Sequence, residues 1–387
     1  MLEPDSGLLL ALLITLSAAL LAGAIRLRLL PFKIVCGVLS IVVAMTGGIA
    51  TVNYYYGYYA TWGAAWADFH GTSGGLGVIS PAGTSVEAVS GRIGWTTFTG
   101  RLSGYNRRGL LYLPPQYGQA QYARVRFPVV ELFHGTPGSP RVWSTVLEVS
   151  QLADRLIAEH LMGPMILVMP AINGPGYMDC VNGPTVKDDT YVTQDVRNDV
   201  LARYRASEDP YEWGMTGFSS GGYCAANLAL RHRDSFGAAA VIEGYFRAAD
   251  GPAANALQHN KQLELANSPL YTAEKLTANS GPLPAFWVAA GTQDRTDYQT
   301  ATKFTAALDR LEQVPFFKLD AADNVRAWSA ALPSALIWLW QQLAPPDLRV
   351  LFPVRAGISN STGSLHVPPP KAKAHQTVTP EKAAGRH

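Results

Sequence analysis

The chain has 387 residues, with 31 Lys and Arg against 29 Asp and Glu, a formal net charge of +2. A balance this even excludes a protein that binds nucleic acid through bulk positive charge. Hydrophobic residues make up 48% and charged residues 16%, a proportion that points toward membrane segments.

Two apolar runs open the chain. Residues 7–25 (GLLLALLITLSAALLAGAI) and 34–52 (IVCGVLSIVVAMTGGIATV) carry no charge. Each is long enough to cross the ~30 Å hydrocarbon core of a bilayer. Arg26, Arg28 and Lys33 lie between them, whereas the start of the chain carries Glu3 and Asp5. Basic residues in a short loop stay in the cytoplasm. The pattern predicts an integral two-helix hairpin within residues 1–70, in the cell membrane, with the rest of the chain on the extracytoplasmic side. A cleaved signal peptide is the competing reading of the first run, but such a peptide starts basic and this one starts acidic. The stretch NYYYGYYATWGAAW at 53–66 reads as an aromatic belt at the outer interface.

Residues 75–345 read as one α/β unit. Short apolar runs at 110–113, 129–133, 165–170, 214–217, 238–242, 285–290 and 316–319 read as strands. Segments of helical period lie between many of them, at 143–161, 193–205, 220–231, 298–312 and 326–342. This alternation predicts a mainly parallel sheet with helices on both faces, and such sheets bind ligands at the carboxyl ends of their strands. Residues 346–387 carry Pro353, Pro368, Pro369, Pro370 and Pro380 and six basic residues against two acidic ones. They read as a disordered tail.

Three cysteines are present: Cys36, Cys180 and Cys224. No cysteine–histidine cluster has zinc-site spacing. No metal and no organic cofactor is implied, and nothing in the sequence sets an oligomeric state.

The chemistry centres on Gly217-Phe218-Ser219-Ser220-Gly221, a G-x-S-x-G pattern between a strand and the helical GYCAANLALRH. That context is a nucleophile elbow, a tight strand-to-helix turn presenting Ser219 for acyl chemistry. Upstream, the strand VVELF runs into His134-Gly135-Thr136-Pro137-Gly138. Two backbone N–H groups stabilise the oxyanion of acyl transfer. Ser220 supplies one, and Thr136, with Gly135 as second choice, supplies the other. Downstream, FWVAAGTQD ends in Asp294, in the chain position of a triad acid, with Asp297 as its alternative.

These residues resemble the putative-esterase family of α/β-hydrolases, which includes esterase D and the mycobacterial mycolyltransferases. The resemblance covers residues 80–342 and rests on YLPPQY, FHGTPGS, TYVTQDVRNDVLARYR, GFSSGGYCAANLALRHRDSFGAA, GTQD and AWSAALPSALIWL. It implies an α/β-hydrolase fold behind the two-helix hairpin, and serine-dependent hydrolysis or transfer of acyl esters. The implied substrate is an acyl ester or a glycolipid-type small molecule. It also implies a Cys180–Cys224 disulfide.

One departure stands out. Members of this family place the catalytic histidine shortly before the tryptophan of the last helix, in a GGHN-like pattern. Here the chain reads Ala321-Ala322-Asp323-Asn324, with Trp328 following, so Asp323 occupies the histidine position. The chain has eight histidines. His70 is juxtamembrane, His134 sits in the oxyanion loop, and His160 and His232 end helices. His259 lies in an inserted segment, and His366, His375 and His387 lie in the tail. An aspartate has a pKa of about 3.9 against about 6.5 for histidine, and is the weaker proton acceptor. It is also shorter than histidine, and it faces repulsion from Asp294. Three readings follow: an active esterase or acyltransferase with an unusual base, an impaired pseudo-hydrolase that binds its ligand without efficient turnover, or an interaction protein of the envelope.

Overall fold

The computed structural model describes residues 2–59, 61–69, 76–79, 90–172, 179–355 and 363–366. His70, His375, His387 and most of the tail lie outside these residues.

Two helices open the chain, α1 (Gly7–Arg26) and α2 (Leu30–Tyr56), both long and apolar enough to cross a membrane. They pack as an antiparallel hairpin. Ser17 Oγ donates to the Ser40 carbonyl (3.1 Å) and Ser40 Oγ returns a bond to the Ser17 carbonyl (2.9 Å). Small hydroxylated residues holding two apolar helices together are typical of helix pairs in lipid. A short helix, α3 (Trp62–Phe69), follows. The Trp62 indole N–H donates to the Leu2 carbonyl (2.6 Å), which brings the segment after α2 back beside the start of the chain.

Among the described residues the strands form one nine-stranded sheet in the order β1-β2-β4-β3-β5-β6-β7-β8-β9. Its members are β1 (Arg92–Thr99), β2 (Asn106–Leu113), β3 (Val129–Phe133), β4 (Ile166–Met169), β5 (Trp213–Phe218), β6 (Ala238–Ile242), β7 (Ala285–Gly291), β8 (Phe316–Leu319) and β9 (Gly363–Leu365). The pairs β1/β2 and β2/β4 are antiparallel, and the remaining pairs are parallel. The central strands β3 to β6 are buried along their whole length, which is why they read as continuous apolar runs rather than alternating ones.

Helices cover both faces. Val130 and Leu132 of β3 face α4 (Arg141–Thr145), α5 (Val149–Ala158) and α13 (Val325–Leu343), whereas Val129 and Phe133 face α7 (Arg197–Arg203), α8 (Ser220–Arg231) and α12 (Arg295–Asp309). A short turn, α6 (Asp188–Thr190), leads through a π-helical stretch at Tyr191–Val196 into α7. Between β6 and β7 lie α9 (Ala253–Ala256), α10 (Lys261–Ala266) and α11 (Pro269–Lys275). From β3 the chain crosses first to β4 on one side and then to β5 on the other. Ligand sites form at such a reversal, beyond the carboxyl ends of the strands.

The structure departs from the sequence reading at both ends of the sheet. The strand β1 precedes the first run read as a strand. The segment read as a disordered tail begins with a helix, α14 (Pro346–Leu351), and contributes β9, which pairs with β8. The edge of β8 offers unpaired N–H and C=O groups that recruit a short strand. Composition alone does not reveal that template.

Candidate active site

β5 delivers the chain to Ser219, whose backbone sits at φ 54° and ψ −125°, and α8 starts at the next residue. The Ser219 N–H donates to the Ile242 carbonyl (3.1 Å), fixing the turn against β6. The flanking glycines are required sterically. A Cβ on Gly217 would lie 2.3 Å from the Gly221 carbonyl oxygen, and a Cβ on Gly221 would lie 2.1 Å from the Phe133 carbonyl oxygen. The turn is the strained elbow that G-x-S-x-G demands.

Asp323 lies in the loop between β8 and α13. Asn324 begins α13 by accepting from the backbone N–H groups of Arg326 (3.1 Å) and Ala327 (3.3 Å), and this cap holds Asp323 at the helix entrance. The Asp323 side chain is buried and accepts from the Trp328 indole N–H at 2.6 Å. The Ser219 hydroxyl favours the charged form of its carboxyl. Burial pushes Asp323 up to about 7; the Ser219 hydroxyl and the Trp328 bond pull it down, and the charges of Asp297 and Asp294 add to the rise. One expectation from sequence therefore needs correction: the basicity of Asp323 is not that of an aspartate in water.

Asp294 sits at the start of α12, where its carboxylate accepts from the Asp297 N–H (3.3 Å). It acts on Asp323 through its charge. Among the described residues no hydrogen bond joins the two. Asp297 is pushed up to about 6, first by burial and then by Asp294.

Sequence reasoning missed Glu243. It follows β6 with φ 49° and is buried. Its Oε2 accepts from the Gly291 N–H (2.7 Å), and its Oε1 has no hydrogen-bond partner among the described residues. Burial first, and then Asp323, push its carboxyl well above the usual carboxylate range. The signal was a glutamate directly after the apolar run AAAVI, at a strand's carboxyl end.

The expected oxyanion residues come together. Ser220 Oγ donates to Thr136 Oγ1 (2.9 Å), and Thr136 Oγ1 donates to Asp179 Oδ1 (3.3 Å). Tyr245 Oη also bonds Asp179. The fully buried Asp179, pushed up to about 6 mainly by burial, is the hub of this network. Its neighbour Cys180 forms a disulfide with Cys224 of α8, with Cα atoms 5.7 Å apart, so the bridge ties the hub to the elbow helix. Sequence reasoning missed Asp179 as well.

His134 is buried, donates Nδ1–H to the Gly135 carbonyl (2.9 Å), and is lowered to about 4 by burial. It is neutral and shapes the loop. His232 Nε2 bonds Asp189 (2.7 Å), while His259 and His366 are exposed. Among the described residues no histidine hydrogen-bonds Ser219.

Comparison with known proteins agrees with this architecture. A ferulic acid esterase superposes with a TM-score of 0.58 at 20% identity, over 66% of this chain and 99% of that one. An S-formylglutathione hydrolase from Staphylococcus aureus gives 0.55 at 18% identity, over 65% and 99%. The corresponding hydrolase from Agrobacterium tumefaciens gives 0.54 at 15%, over 70% and 100%. At these identities the likeness is one of fold. A curated but uncharacterised protein of Corynebacterium glutamicum is 26% identical over 222 residues, 51% of this chain and 48% of that protein, so the match spans about half of the relative's length. Residues 101–339 match the family described as "Putative esterase". With more than half its length inside that match, and with the elbow on the fold its solved neighbours share, the chain belongs to the esterase family of α/β-hydrolases.

Proposed function

We propose that the protein is a membrane-anchored esterase that hydrolyses or transfers acyl groups through Ser219, with Asp323 as the general base. The observation that carries this reading is a buried carboxyl at the Ser219 hydroxyl, held by Trp328 and pushed up to about 7. That basicity is close to that of an imidazole, and a base is most effective when its pKa lies near the working pH.

The steps follow from the residues present. Ser219 Oγ attacks the ester carbonyl carbon, and its proton passes to the Asp323 carboxylate. The carbonyl oxygen becomes an oxyanion, stabilised by the N–H groups of Ser220 and Thr136. Collapse breaks the bond to the alcohol oxygen, which takes the proton from Asp323. Water or an acceptor alcohol then attacks the acyl-serine, again giving its proton to Asp323, and Ser219 leaves with that proton. With a carboxylate base, negative charge moves from Asp323 to the oxyanion, and no imidazolium forms. The anionic partner that a histidine needs is then unnecessary.

The α1–α2 hairpin supports integral membrane anchoring. The basic loop between the helices and the Cys180–Cys224 disulfide both support an extracytoplasmic site, because disulfides persist in oxidising compartments. The second reading, a ligand-binding pseudo-hydrolase, is favoured by the lack of a histidine at Ser219 among the described residues.

Labelling of the purified full-length chain with a fluorophosphonate, together with hydrolysis of a p-nitrophenyl ester, separates the two. An activated Ser219 labels covalently, and Asp323→Asn lowers kcat/KM by about 10²–10⁴-fold, the usual contribution of a general base. A wild-type chain that neither labels nor hydrolyses supports the pseudo-hydrolase.

A further inference from the structure

α2 ends within contact of the candidate site. Gly57, at φ 71°, terminates the helix, and its N–H donates to the Asn53 carbonyl (2.8 Å). The buried Asn53 side chain then closes the turn, donating to the Tyr59 carbonyl (2.9 Å) and accepting from the Tyr59 N–H (2.8 Å). The chain thus leaves the spanning helix through a built turn and not a loose linker. Tyr58 Oη donates to the Pro137 carbonyl (2.8 Å), in the loop that carries Thr136. The rings of Tyr56 and Tyr58 lie 6.1 and 5.9 Å from the ring of Trp328. Trp328 in turn stacks on Phe218 at 4.0 Å and donates to Asp323. Tyr55 lies within electrostatic reach of Asp323, Asp294, Asp297 and Glu243.

We infer that the end of the membrane anchor is a wall of the active site: Tyr56 and Tyr58 complete it at the bilayer surface, and the ester it takes is an amphiphile whose acyl chain resides in the membrane. This rests on the esterase reading above. The geometric reason is short range. Two ring contacts, Tyr56 on Trp328 and Trp328 on Phe218, separate the last turn of α2 from the residue before Ser219, so the site stays within side-chain reach of the interface. Tyr54 and Tyr55 remain about half exposed beside it, suited to the headgroup layer. An ester diffusing in water gains nothing from this placement, whereas an ester lying in the interface is delivered in two dimensions with its chain still in lipid.

The test uses the full-length chain in nanodiscs and two esters of one fluorogenic alcohol, a water-soluble butyrate and a palmitate that partitions into the disc. The expected result is a higher kcat/KM for the palmitate. Tyr56→Ala and Tyr58→Ala each reduce that preference by about tenfold, the scale of one lost aromatic contact, and Tyr58→Phe, which keeps the ring, retains most of it. Equal rates for the two esters in the wild-type chain, or a preference untouched by both alanine variants, overturn the inference. If neither ester is cleaved, the esterase reading has failed, and the wall is judged separately with a benzoylphenylalanine photocrosslinker at position 58. Crosslinks to residues 134–140 support it, and crosslinks only to lipid overturn it.

Discussion

In water an aspartate and a histidine differ by about 2.6 pKa units, and on that scale Asp323 is a poor substitute at the end of a catalytic dyad. Burial removes most of the gap, because a carboxylate out of water loses hydration that the protein only partly replaces. The replacement at position 323 is the hydrogen bond from Trp328, with the Ser219 hydroxyl also favouring the charged form. Two consequences follow for the pH profile of activity. In the esterase reading, activity is expected to rise as pH passes through about 7 and Asp323 loses its proton, as a pH–rate profile would show. Trp328→Phe removes a bond that favours the charged form, so the rising limb moves to higher pH; a limb that stays in place or moves down contradicts this role. Burial and Asp323 push Glu243 toward its protonated form, with which Glu243→Gln is nearly isosteric. It leaves kcat/KM within about threefold, below the range lost with a catalytic base, and steady-state kinetics at pH 8 checks this. The two residues differ in legibility. Ser219 was plain in the sequence because glycines at 217 and 221 are a local steric requirement. Glu243 and Asp179 were not, because their roles depend on burial and on partners distant in sequence.

At the scale of elements, the Cys180–Cys224 bridge closes a loop of 44 residues that contains β5 and the elbow. A cross-link of that span stabilises by about 4 kcal/mol in the chain-entropy account. The double variant Cys180→Ser, Cys224→Ser is expected to melt well below the wild type in the same detergent, as read by differential scanning fluorimetry. An unchanged melting point removes the bridge from the stabilising contacts. The strands β3, β6 and β8 were legible to the residue because buried parallel strands are short apolar runs. The strands β1 and β9 were not, since their pairing partners supply what their own sequences leave unspecified. α14 was likewise masked by the proline-rich composition that follows it, although Leu348 is buried and Arg349 donates to the Ala344 carbonyl (2.7 Å) and the Gln341 carbonyl (2.8 Å).

At the scale of the whole molecule, folding raises the proton affinity of several carboxyl groups. Asp179 and Asp297 rise to about 6, Asp323 to about 7 and Glu131 to about 8, each mainly by burial. An acid whose folded pKa exceeds its unfolded value binds more protons in the native state between the two values. Stability therefore falls as pH rises through that window. His134, lowered to about 4, acts in the opposite direction between about 4 and its usual value of about 6.5, but it is a single group against four. The melting temperature is expected to decline from pH 5 to pH 7.5, and a steady rise across that range would show that other groups dominate.

The sequence by itself determined the two apolar helices, the alternation that builds the sheet, the elbow at Ser219 and the loop after β3 that meets it. Each is set by local periodicity or by steric limits within a few residues. Only the tertiary structure decided what Asp323 is. Its proton affinity depends on the water excluded around it, on the Trp328 indole, and on the Asp294 and Asp297 carboxyls at the start of α12. The meeting of the α2 tyrosines with the site belongs to the same class, since Tyr58 and Pro137 are 79 residues apart and no local pattern records that they touch.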